Sequence, residues 1–243
     1  LRAFLQDVDV LIHLAALLPN NYSPHIDYFL CNAVSSKSLY DLCSDVGVDK
    51  FIFLSSANCL KPSDGLIVSD SSYSQILRQP SYLASKIAAE LLLSNSVGST
   101  DLFIVRTSSI YGHKVRSGLF RNLYDSLVNS KSITLSHNGL FSADFLYAGD
   151  VAKCIHSIVK SSPPGVLNLG FGSVLSIHEV AQTFASLLGV DEDLINLEPI
   201  VDENSSVGSL PPVSSDQVVS LLGRPPLSVR EGLHHAFSTY GTF

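Results

Sequence analysis

FIFLSSA, residues 51–57, decides the fold: four apolar residues run directly into two serines and an alanine. A continuous β-prone run of this kind, without polar alternation, fits a strand covered on both faces, as in a parallel sheet. Outward from it, comparable runs recur at 8–15, 102–107, 133–135, 145–147 and 165–169. Amphipathic stretches at 27–46, 81–94, 119–128 and 149–160 lie between them, so short strands alternate with helices as in crossover units. Ser176 with Glu179, and Ser228 with Glu231, predict two further helix starts, a hydroxyl and a carboxylate three apart satisfying the first free amides. Pro163-Pro164, Pro211-Pro212 and Pro225-Pro226 mark loops. The predicted class is α/β, without internal repeats.

Composition narrows the function classes. The 243 residues are 46% hydrophobic and 15% charged, which suits a globular chain with a substantial core. A net charge of −7 repels polyanions, arguing against nucleic acid or an anionic membrane surface as partner. Apolar runs such as 10–18 and 87–93 fall well short of the ~20 residues of a bilayer-spanning helix. No signal peptide is visible, and a cytoplasmic setting is expected. Cys31, Cys43, Cys59 and Cys154 are scattered, with no CxxC pair, which fits a reducing compartment. There is no HExxH, and His234-His235 are neighbours whose side chains diverge on a helix, so no metal is expected. Asn204-Ser205-Ser206 matches a glycosylation triplet of the kind that arises by chance.

Two features bear on the beginning of the chain. It contains no methionine. Its first strand, 8–15, is fully apolar, although the opening strand of a doubly wound sheet sits centrally and its following turn cradles a dinucleotide. A bare hydrophobic edge is an aggregation hazard. The expectation is that about two βα units, ~60 residues at ~30 each, stand upstream of Leu1.

The chemistry concentrates at Tyr82-Leu83-Ala84-Ser85-Lys86, where a phenol and an ammonium one helical turn apart share a face. A phenol with a pKa near ~10 is a poor base at neutral pH until a nearby cation favours its phenolate. Ser55 and Ser56 end an apolar strand earlier in the chain, at the edge where ligands bind in open α/β sheets, and Ser56 is placed to share a substrate oxygen with Tyr82. His13 reads as a packed strand residue and Glu90 as a solvated partner of Lys86.

In this order the segments resemble the extended short-chain dehydrogenase/reductase family, the NAD-dependent epimerases, dehydratases and reductases of sugar nucleotides. Asp9-Val10-Leu11-Ile12-His13-Leu14-Ala15-Ala16 is similar to the family's fourth strand, and Asn32 falls where the next helix keeps an asparagine. Residues 51–57 resemble the strand bearing the catalytic hydroxyl, and Tyr82 with Lys86 the YxxxK pair. Arg106-Thr107-Ser108-Ser109-Ile110-Tyr111-Gly112, Asp144-Phe145 through Asp150-Val151-Ala152, Asn168-Leu169-Gly170, Leu222-Gly223-Arg224-Pro225 and Glu231-Gly232-Leu233 resemble later family segments.

The resemblance implies a Rossmann-like doubly wound parallel sheet lacking its first strands, with a smaller C-terminal α/β substrate domain. The dinucleotide-binding part would be 1–111 plus about 144–169, and the substrate part 112–143 plus about 170–243. It implies Ser56, Tyr82 and Lys86 as catalytic residues. Leu14, Ala15, Ala16, Asn32, Tyr82, Lys86 and Ser108 would face the cofactor, NAD or NADP, and Ser56 and Ser109 a nucleotide-sugar substrate. It also implies a homodimer built on the helices carrying Asn32 and Tyr82.

The departures are informative. The glycine-rich phosphate turn is absent, so the choice between NAD and NADP is unreadable; Gly170-Phe171-Gly172 lacks the third glycine and comes too late. Ala57-Asn58 stands where 4,6-dehydratases carry an Asp-Glu pair, which favours an epimerase or 4-keto reductase. Ser109 stands where many epimerases have asparagine, and Ala143 where arginine is common, so a standard UDP-hexose does not follow. A hydroxysteroid- or dihydroflavonol-type reductase and a non-catalytic dinucleotide sensor remain as alternatives.

Overall fold

The computed structural model describes residues 1–19, 22–75, 79–115, 117–200 and 208–241, with the backbone alone at Ser161. The helices are α1 (Arg2–Leu5), α2 (His25–Phe29), α3 (Ser35–Val46), α4 (Pro80–Ser94), α5 (Leu119–Val128), α6 (Ala148–Ser161), α7 (Ile177–Leu188), α8 (Asp216–Leu222) and α9 (Val229–Tyr240). The strands are β1 (Val10–His13), β2 (Lys50–Ser56), β3 (Asp101–Thr107), β4 (Ser109–Tyr111), β5 (Ile133–Leu135), β6 (Ser142–Ala143), β7 (Phe145–Tyr147), β8 (Gly165–Leu169), β9 (Leu175–Ser176) and β10 (Ile195–Leu197). They fall into two units, Leu1–Thr107 with Ile155–Leu169, and Ser108–Cys154 with Gly170–Phe243. Residues 108–111 and 144–154, expected with the dinucleotide part, group with the second unit because β4 pairs with β7 there.

The first unit holds a four-stranded, all-parallel sheet in the order β1-β2-β3-β8. Phe51, Ile52 and Phe53 on β2 and Phe103, Ile104 and Val105 on β3 are buried, as unbroken apolar runs require. β1 departs from that pattern: it lies at a sheet edge, and Ile12 is 44% exposed. Tyr40 and Cys43 of α3 and Ala89 and Leu93 of α4 close one core over Phe51, Phe53 and Ile104. The helix expected at 27–46 is α2 and α3 joined by a π turn, Leu30–Val34, and Gly47 ends it in the left-handed region at φ 86°.

The second unit carries three two-stranded sheets, β4 with β7, β5 with β10, and β6 with β9. Its core gathers Phe120, Leu123, Leu127, Phe184, Leu233 and Ala236. Both predicted capping boxes form, at Ser176 with Glu179 and at Ser228 with Glu231. Asp144 is buried and accepts from the N–H groups of Phe171 (2.9 Å), Gly172 (3.0 Å) and Val213 (3.0 Å). Burial still pushes its pKa up, against the pull of those bonds. Asp150, also buried, pairs with Arg224 and takes the Leu227 N–H at 2.7 Å. Asn204-Ser205-Ser206 lies outside the described residues. No described helix is long and apolar enough to cross a membrane.

Candidate active site

Pro80 pre-sets the first turn of α4, and Tyr82 and Lys86 follow one turn apart on it. Lys86 is 3% exposed, donates from Nζ to the Leu54 carbonyl at 2.8 Å and stands 4.6 Å from the centre of the Phe53 ring. Burial pushes its pKa down to about 8, with the charge of Glu90 working against the shift. Burial raises the Tyr82 phenol above its usual range, and Cys59 adds to that.

At the end of β2 successive side chains point to opposite faces, and the two serines divide accordingly. Ser55 donates to Glu90. Ser56 caps the short turn Ala57–Cys59 by accepting from the Asn58 N–H at 3.2 Å. The Cys59 thiol donates to the Ser56 carbonyl at 2.8 Å and also influences Tyr82, so this turn lies beside the start of α4. Its pKa is pushed up to about 12, mainly by burial, which keeps it an inert thiol. Among the described residues no hydrogen bond joins Ser56 to Tyr82.

Glu90 is not the solvated partner that its spacing from Lys86 suggests. It is 1% exposed and accepts from Arg106 Nε (2.9 Å) and Nη2 (2.6 Å), from the Tyr73 hydroxyl (2.8 Å) and from Ser55. Arg106 also donates to the Tyr73 hydroxyl at 3.2 Å. The sequence signal was Arg106 itself, since a charge inside an otherwise apolar strand needs a buried partner.

Asn32 lies in the π turn and is 1% exposed. Its Oδ1 accepts from the Leu17 N–H at 2.7 Å, and its Nδ2 donates to the Leu17 carbonyl (3.1 Å) and to Ser85 Oγ (3.0 Å). The side chain therefore fixes the course of the backbone that leaves β1 through Leu14, Ala15 and Ala16. Leu14 and Ala15 are exposed and Ala16 is half-buried. His13 bonds Ser36 through Nε2 at 2.9 Å, with Phe51 and Phe53 as ring neighbours. Burial, and then the charge of Lys86, lower its pKa, which keeps the ring neutral.

A cavity of about 380 Å³ opens beside Tyr82, lined by Pro19, His25, Tyr28, Gln79 and Ser81 among others. His25 Nδ1 and Ser81 Oγ share a hydrogen bond of 2.5 Å on its wall, a pair the sequence did not single out. Ser108 and Ser109 belong to the second unit, where Ser108 is buried beside the Asp144 carboxylate and the Ser109 N–H donates to the Asp144 carbonyl at 3.0 Å.

The sequence profile of the NAD dependent epimerase/dehydratase family matches residues 1–170. The dTDP-D-glucose 4,6-dehydratase of Bos taurus is 22% identical over 244 residues, covering 97% of this chain and 68% of the relative. Among solved structures, the UDP-glucose 4-epimerase of Thermotoga maritima with UDP-glucose superposes with a TM-score of 0.80 at 17% identity, covering 99% of this chain and 81% of that one. The UDP-glucuronic acid 4-epimerase of Bacillus cereus in complex with NAD gives 0.79 at 22% identity, covering 98% and 75%. These likenesses show a shared Rossmann-type fold.

Proposed function

Since the chain belongs to the NAD-dependent epimerase/dehydratase family, we propose that it is an epimerase or 4-keto reductase of a nucleotide sugar, with Tyr82 moving the proton while hydride passes between the sugar carbon and nicotinamide. The observation that carries this reading is the α4 pair: a half-buried phenol one turn from a buried ammonium, beside an open cavity. When bound, the nicotinamide supplies the two-electron exchange.

The chain's own residues do the rest. Tyr82 takes the hydroxyl proton as the C–H bond gives up its hydride, and returns it when hydride comes back. An epimerase takes hydride back on the other face of the keto sugar; a reductase makes a single transfer and releases product. Ser56 holds the reacting oxygen. Lys86 gives one of its three N–H bonds to Leu54, and the remaining donors suit ribose hydroxyls. Asn32 contributes by holding Leu17 and so shaping the segment that includes the exposed Leu14 and Ala15, which suits a dinucleotide; its amide is already engaged by Leu17 and Ser85. Ser108 is proposed to serve the cofactor and Ser109 the substrate.

Elimination of water is disfavoured. Ala57 is fully buried and Asn58 carries no acid, where the resemblance puts the Asp-Glu pair of dehydratases. The buried Glu90 has its oxygens taken up by four donors and is not a substitute. This separates the chain chemically from the Bos taurus relative that it resembles in sequence.

We also propose a homodimer. Ile26, Leu30 and Val34 are exposed at four-residue intervals, and Leu91 and Leu92 are exposed on α4, which packs against that helix. An apolar stripe across two adjacent helices suits burial against its own copy.

Titration with NAD and NADP, followed by a panel of nucleotide sugars with products resolved by NMR, tests the reading. Interconversion or reduction of a nucleotide sugar supports it. Turnover confined to apolar carbonyl compounds, or cofactor binding without turnover of any sugar, would replace it with the steroid/flavonol-type reductase or the sensor.

A further inference from the structure

Glu90 and Lys86 are one helical turn apart on α4, and both are buried. The carboxylate meets four donors: Nε and Nη2 of Arg106, the Tyr73 hydroxyl and Ser55. A guanidinium cannot accept a hydrogen bond, so this donor set, three bonds on Oε2 and one on Oε1, fits an ionised carboxylate. Glu90 thus stands as a fixed negative charge inside the core, between the proposed catalytic helix and β3. Among the described residues the Lys86 ammonium has no carboxylate bonded to it; its direct partners there are the Leu54 carbonyl and the Phe53 ring.

We propose that Glu90 is a positioning residue for Lys86, a buried carboxylate clamped by Arg106, Tyr73 and Ser55 that keeps the lysine charged. The proposal rests on the reading that Tyr82 and Lys86 carry the proton step, and it extends that reading to residues that touch no substrate. The charged and titratable groups around the pair are Arg106 on β3, Tyr73 in the loop after β2, Cys59 in the turn after Ser56, His13 on β1 and Tyr82 on α4. Of these, Arg106 and a protonated His13 would oppose a charge on Lys86; Glu90 is the one anion among them at neutral pH. Without it, burial alone governs the ammonium, and the neutral amine is favoured. A neutral Lys86 no longer favours the phenolate that starts the oxidative half-reaction.

The test follows Lys86 itself, by NMR of the chain labelled at lysine Cε, with its resonance assigned by its loss in Lys86→Arg. The wild-type resonance is expected to titrate near pH 8. Glu90→Gln is expected to move the midpoint down by about 1 pH unit or more. Because that variant strands Arg106 in the core, a strongly destabilising change, the double variant Glu90→Gln with Arg106→Gln replaces the ion pair with two amides. It removes a nearby anion and a farther cation together, so its midpoint is expected between the other two. Coincident midpoints, or an upward move with Glu90→Gln, would overturn the proposal. The basic limb of the activity profile should move in the same order. Ordered NMR midpoints without turnover of any nucleotide sugar would retain the charge relationship while removing the functional reading.

Discussion

Asn32 grips Leu17 by both ends of its amide, accepting from the Leu17 N–H at 2.7 Å and donating to the Leu17 carbonyl at 3.1 Å. It does for the segment after β1 what a neighbouring strand would do, satisfying a backbone donor and acceptor that lie beside the π turn. Asn32→Ala leaves both groups without that partner, at a cost of about 1–3 kcal/mol. Thermal melts should show the loss. Calorimetry should show weaker dinucleotide binding in a variant that is still folded, because residues 14–17 lose their fixed course.

Lys86 makes a pH-dependent contribution whose sign is set by burial. Its pKa in the folded chain is about 8, below the ordinary 10.5, so between those values the unfolded chain binds more protons. The stability of the wild type relative to Lys86→Met should therefore rise with pH across that window and fall as pH drops through 8. The full swing is on the order of 3 kcal/mol. Paired denaturant titrations at several pH values measure it, and a flat difference would refute the assignment of Lys86 as a buried cation.

Gly170 shows why an Asn-x-Gly segment ends in glycine here. A Cβ at that position would lie 2.3 Å from the Val213 Cβ and 2.4 Å from its carbonyl oxygen, with backbone unable to yield. Gly170→Ala should destabilise the chain by about 1–3 kcal/mol or more, read as a lower denaturation midpoint with an unchanged slope.

Leu30→Glu, or Val34→Glu, places a charge in the middle of the exposed apolar stripe. If that stripe is the dimer seam, sedimentation should report monomers for either variant and a dimer for the wild type. These positions are exposed already, so the secondary structure should be unaffected.

Much of this arrangement was legible in the sequence. The runs at 133–135, 145–147 and 165–169 became β5, β7 and β8 with those limits, since short apolar segments bounded by polar or turn-forming residues leave little freedom. β4, β6, β9 and β10 were not foreseen. The spacing of Lys86 and Glu90 gave the shared helix face but not its burial, which depends on Arg106, 16 residues later, reaching the carboxylate. Of the two serines of β2, the sequence singled out Ser56 for the substrate but gave Ser55 no partner. Which one commits to Glu90 is decided by the strand's pleat against α4. The π turn, Leu30–Val34, was invisible because it continues the helical pattern of the residues on either side and differs only in its backbone hydrogen bonds.

The most direct test of the account is a single-turnover experiment comparing the wild type with Tyr82→Phe, each bound to the dinucleotide and mixed with the nucleotide sugar that the wild type converts. The wild type is predicted to change the redox state of the nicotinamide, transiently as an epimerase or lastingly as a reductase, and to form product, with neither seen in Tyr82→Phe despite unchanged cofactor affinity and melting behaviour. Wild-type rates in Tyr82→Phe would contradict it.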